Sequence, residues 1–106
     1  MALFTTLYSG SSGNCALILH EGKYLLIDMG KSCRTTLNAL RSLGLAVSDC
    51  EGILITHEHS DHIHGVGVLA RKYGMDLYAN EATWKAMEGT KYLGKVDDAQ
   101  KHIFEM

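Results

Sequence analysis

Two apolar runs constrain this chain more than any other feature. "YLLID" (Tyr24 to Asp28) and "GILIT" (Gly52 to Thr56) are short and hydrophobic nearly throughout, the pattern of strands buried on both faces. Between them Leu37, Leu40 and Leu43 recur at three-residue intervals with Gly44 behind. That spacing predicts a helix of about three turns from Ser32, stopped by a glycine at C′. The flanks continue the order. Leu3 to Tyr8 and "CALILH" (Cys15 to His20) read as strands around the Gly/Ser loop "SGSSGN", Ser9 to Asn14, a hairpin meander leading into the third strand. Val66, Leu69, Ala70 and Tyr73 lie on one face of a helix ending at Gly74. Asp76 to Asn80 reads as a strand, Glu81 to Glu88 as a helix capped by Asn80, and Lys101 to Glu105 as a last strand. The fold class is α/β: a mixed sheet with helices packed on it and right-handed crossovers, in one domain over residues 1–106.

Composition narrows the partners. The chain is 46% hydrophobic and 21% charged, ordinary for a globular domain. Ten Lys+Arg against twelve Asp+Glu leave a net charge of -2, so no global basic field holds nucleic acid or anionic lipid. A polyanion would need a local site, for which Lys72, Lys85, Lys91 and Lys95 offer a strip. No apolar stretch approaches the roughly 20 residues that span a bilayer, and the opening "MALFTTLYSG" lacks a basic n-region. We therefore expect no membrane and a cytoplasmic location. Cys15, Cys33 and Cys50 form no CxxC pair and read as reduced packing thiols.

Directly behind the second apolar run stands "THEHSDHIHG". In a helix His57 and His59 would point about 200° apart, whereas extended backbone turns residues i and i+2 to the same side. HxH leaving a strand is thus a chelating geometry. Asp61 and His62 precede a helix, and a tight turn there aims both at a neighbouring position, so two metals become possible. Imidazole and carboxylate together suit Zn²⁺ or, with more oxygen ligands, Mn²⁺ or Fe. Ligands in open α/β sheets gather beyond the carboxyl ends of the strands, where this cluster begins. Asp28 ends the other run and is expected to hydrogen-bond a ligand imidazole or the cluster loop rather than hold metal. Glu58 and Ser60 are expected to point away, His64 to lie on the helix surface, and His20 and His102 to be structural.

At His57, His59, Asp61 and His62 the chain resembles the metallo-β-lactamase fold superfamily, whose signature is HxHxDH. "SGSSGNC", "LLIDMG", "ILITHEHSDHIHG" and "LARKYGMDLYANEATWKAM" resemble, in order, its YycJ/WalJ-like branch, bacterial proteins regarded as metal-dependent phosphodiesterases or nucleases on DNA. The resemblance implies that His57 and His59 hold the first metal and Asp61 and His62 the second, with two ions in the complete site. It implies attack on a phosphorus ester by water activated between the metals, which Asp61 also orients as a catalytic residue. Family members are more than twice this length, an αββα sandwich of two similar halves whose second half supplies a third histidine, a bridging aspartate and a last histidine. The resemblance therefore places this chain as the first half, with an incomplete site and an apolar sheet face to be covered by self-association or by a missing C-terminal half. Two functions follow as expectations. One is a metal-dependent hydrolase with DNA as substrate; the other is a catalytically silent, self-associating module. A hydrolase of another ester or thioester stays open.

Overall fold

The computed structural model describes residues 2–10, 13–57 and 59–104, and of Asp61 the backbone alone. Six strands form one sheet in chain order: β1 (Leu3–Tyr8), β2 (Cys15–His20), β3 (Lys23–Ile27), β4 (Cys50–Leu54), β5 (Leu77–Ala79) and β6 (Lys101–Ile103). β1 to β3 are an antiparallel meander, and β3 to β6 pair in parallel. Helices α1 (Cys33–Ser42), α3 (Val66–Tyr73) and α4 (Glu81–Met87) connect the parallel strands, with the single turn α2 (Ser60–Ile63) just ahead of α3. The family-level expectation of a mixed sheet with packed helices is what the chain adopts.

The helix ends follow from local chemistry. Ser32 Oγ accepts the Thr35 N–H at 3.2 Å and opens α1. At its other end Gly44 N–H donates to Arg41 O at 2.9 Å and Leu45 N–H to Leu40 O at 3.0 Å, a Schellman closure that needs the left-handed φ of Gly44. Asn80 Oδ1 accepts from Thr83 N at 2.8 Å and opens α4.

Sheet register separates two faces. Leu17, Leu26, Ile53 and Leu77 are partners across β2 to β5, and each is 2% exposed or less. The buried residues of α1, α3 and α4, among them Leu40, Leu69 and Trp84, join this row in one core. One residue along, Ala16, Ile27, Leu54, Tyr78 and His102 make the next row and are only half-buried.

Four expectations change here. The apolar runs are not buried on both faces, because the helices cover only one; β3 alternates buried and half-buried. The second run leaves regular strand at Leu54, although Ile55 N–H still bonds Tyr78 O at 2.7 Å. Tyr73 is 39% exposed, unlike Val66, Leu69 and Ala70 on its expected face. The last strand stops at Ile103, and Glu105 falls outside the described residues. All three cysteines are free thiols, Cys15 and Cys33 buried and Cys50 half-buried. Among the described residues no helix is long and apolar enough to cross a membrane.

Candidate metal centre

The segments leaving β3 and β4 meet beyond the carboxyl ends of the parallel strands. Met29 N–H donates to His62 O at 2.7 Å, and Gly65 N–H donates to Met29 O at 3.0 Å. A β-carbon on Gly65 would fall 2.4 Å from Lys31 O, so only glycine lets the backbones meet this closely. Asp28 turns out of β3 at φ 62, a left-handed conformation uncommon for a residue with a side chain, and is only 5% exposed. Its N–H is anchored to Leu54 O at 2.8 Å.

That turn aims the carboxylate into the cluster loop. Asp28 Oδ1 accepts the Thr56 N–H at 2.7 Å, and Oδ2 accepts from Thr56 Oγ1 at 2.5 Å and from His62 Nδ1 at 2.7 Å. Thr56 Oγ1 also lies 2.9 Å from His57 Nδ1. A hydroxyl has one proton, and Thr56 gives it to the carboxylate; the bond to His57 is therefore made by the Nδ1–H of the ring. His62 Nδ1 must likewise carry the proton it donates to Asp28. Each imidazole thus has its Nδ1 side tied to an oxygen, the kind of contact that fixes the orientation of a ligating histidine.

The rings converge. His57 and His62 have centroids 4.8 Å apart, and His57 and His59 6.2 Å apart with planes inclined by 29°. His57, His62 and Asp28 each bring a ligand-type atom within 4.8 Å of the others; His59 stands outside that set. The His59 backbone is extended at φ -66, ψ 147, and α2 starts immediately after it. Its C=O accepts the His62 N–H at 2.8 Å, which folds His62 back toward His57. The Asp61 side chain and Glu58 lie outside what is described. Ser60 and His64 are exposed, and His20 sits beside Glu21. His102 stacks on Tyr78 at 4.8 Å.

Thr56 is the contributor that sequence reasoning missed. Threonine is not a common ligand, and its only signal was its place between the strand and the first histidine. Asp28 and His62 also line a cavity of about 230 Å³ with Tyr8, Asn14 and Cys15. Burial, with the nearby Asp28 charge adding to it, pushes the Cys15 thiol up to about 12. Burial also lifts Tyr8 to about 12, partly offset by its hydrogen bond with Thr36. Cys15 is therefore a thiol, not a thiolate ligand, near neutral pH. The donors present are imidazole nitrogen and carboxylate oxygen, a set that fits Zn²⁺ or Mn²⁺.

Fold and cluster define an α/β protein organised around a candidate cation site at the ends of its parallel strands. The chain belongs to the metallo-beta-lactamase superfamily, whose family pattern matches residues 8–101. It is 61% identical over 103 residues to the exodeoxyribonuclease WalJ of Streptococcus pneumoniae serotype 2, and 48% identical over 103 residues to the exodeoxyribonuclease YycJ of Bacillus anthracis. Each match covers 97% of this chain and 38% of the relative, so the chain spans well under half the length of the curated relatives it matches. Among solved structures, the metallo-beta-lactamase SMB-1 superposes with a TM-score of 0.71 at 20% identity, covering 96% of this chain and 46% of that one. At that identity the likeness speaks for the fold alone.

Proposed function

We propose that this chain carries metal ligands of a metal-dependent hydrolase that cleaves phosphodiester bonds in DNA. The observation that supports this most is the Asp28–Thr56–His57–His62 network, which brings two imidazole rings and a buried carboxylate together at the strand ends. In this reading His57 and His59 hold one ion and Asp61 and His62 a second, while Asp28 and Thr56 hold the rings. Bound Zn²⁺ or Mn²⁺ would supply Lewis acidity, lowering the pKa of water toward ~7 and stabilising charge on the departing oxygen. Asp61 orients the attacking water. The DNA substrate is taken from the exodeoxyribonuclease names of the two relatives. Four donors shared by two ions give each ion two, against three protein ligands at a typical catalytic zinc. We therefore read metal affinity of these residues alone as modest, with further donors required for full turnover.

The test is hydrolysis of a labelled single-stranded oligonucleotide and of bis(p-nitrophenyl) phosphate with Mn²⁺ or Zn²⁺ supplied. Turnover that disappears in Asp61→Ala supports the reading. No turnover with either ion would overturn it for this chain and select a silent, self-associating module. That second reading is favoured by the half-buried apolar row of Ile27, Leu54 and Tyr78 on the open sheet face, and it predicts a discrete oligomer.

A further inference from the structure

A second cluster lies next to the metal loop and takes no part in it. His64 closes α2, two residues beyond His62, and is exposed. Its ring lies 5.4 Å from that of Tyr92, inclined by 40°, and Lys91 Nζ lies 5.4 Å from the centroid of the Tyr92 ring. We infer that His64 and Tyr92, with Lys91, form a stacking step for an unpaired nucleobase beside the metal centre. The inference deepens the proposed DNA-cleaving function and rests on it for the identity of the ligand.

Tyr92 is held in place rather than carried on a loose loop. Gly67 N–H donates to Tyr92 O at 3.0 Å, and Arg71 Nη1 donates to Leu93 O at 2.6 Å. A β-carbon on Gly67 would fall 2.3 Å from Tyr92 O and 2.1 Å from Leu93 O, so α3 sits directly on this backbone. Leu93 is 3% exposed and fastens the segment to the core. A rigid aromatic needs little ordering when a ligand arrives.

The polar ends of the cluster are uncommitted. Among the described residues, neither the side chains of His64 and Tyr92 nor the Lys91 ammonium has a hydrogen-bond or ion-pair partner. The chain has a net charge of -2, so its affinity for a single strand cannot come from a global field. Aromatic faces stack on any base, and an adjacent cation meets the phosphate, the combination that single-strand binders use. His64, at the end of the short helix that carries His62, brings that combination beside the cluster loop.

The experiment uses the full chain in EDTA, which silences cleavage, and a single-stranded oligonucleotide ending in 2-aminopurine, whose emission reports stacking. The wild type should bind with a saturable emission change. Tyr92→Ala and the exposed His64→Ala should each weaken binding about five-fold or more and abolish that change, while Tyr92→Phe and His64→Phe keep it. Lys91→Ala should lower the log–log salt slope by about 0.7. Circular dichroism checks that each variant folds, and His64→Ala decides if Tyr92→Ala does not. The inference is overturned if the wild type shows no binding or no emission change, if the alanine variants match it, or if Tyr92→Phe fails as Tyr92→Ala does. Failure of the metal-centre reading shows separately, as absent metal uptake with this emission change intact.

Discussion

Ile53 and Leu54 are neighbours in β4, yet they face different worlds. Ile53 is fully buried in the row that meets the helices, and Leu54 is half-buried in the row that no helix covers among the described residues. The covered face is committed to holding the fold. The open face carries apolar side chains whose burial is incomplete, and the cavity along Leu25, Leu54, Tyr78 and Phe104 lies on it. The cluster belongs to neither face: it forms where the strands end, built by Asp28 and by the loop after Ile55. Stability and chemistry are therefore separable, the first residing in the covered row and the second at the strand ends.

Ile53→Ala should cost about 2–5 kcal/mol in urea unfolding, because no solvent can fill the cavity it leaves. Leu54→Ala should cost clearly less, below about 1.5 kcal/mol; equal costs would mean that the open face is packed as tightly as the other. At the strand ends, Asp28→Asn should lower metal affinity about 10–100-fold with a smaller change in the unfolding midpoint, since an amide cannot accept from both Thr56 and His62 as the carboxylate does. Loss of the fold without a specific loss of metal affinity would make Asp28 a purely structural residue.

The smallest effect is a pH dependence. Burial raises the Cys15 thiol pKa in the folded chain to about 12, above its ordinary value of 9.0. The unfolded chain ionises first, so the contribution of Cys15 to stability is complete below about pH 9 and fades as pH climbs toward 12. Cys15→Ala should flatten that part of the profile. Iodoacetamide at pH 8 should label Cys15 only as the chain unfolds.

Much of this was legible from pattern. β1 and β2 begin and end where the apolar runs and the Gly/Ser loop place them, and Gly44, Gly74 and Asn80 punctuate the helices as their residue types require. What escaped was tertiary. A continuous apolar run looks the same whether its second face is covered or open, so "YLLID" and "GILIT" could not report the half-buried row. Nothing local marks the left-handed turn of Asp28, which is imposed by three donors converging on its carboxylate. The seat of the Tyr92 backbone against Gly67 is a contact between segments 25 residues apart in number and carries no periodic signal.

The central claim is that the imidazoles of residues 57 and 62 converge beside Asp28 to hold a cation, with His59 on the same loop. Calorimetric titration of Zn²⁺ or Mn²⁺ into the metal-stripped chain, beside the double variant His57→Ala/His59→Ala, addresses it directly. Saturable uptake by the wild type that is lost in a folded double variant is the predicted result. Identical uptake by both, or none by either, would contradict it.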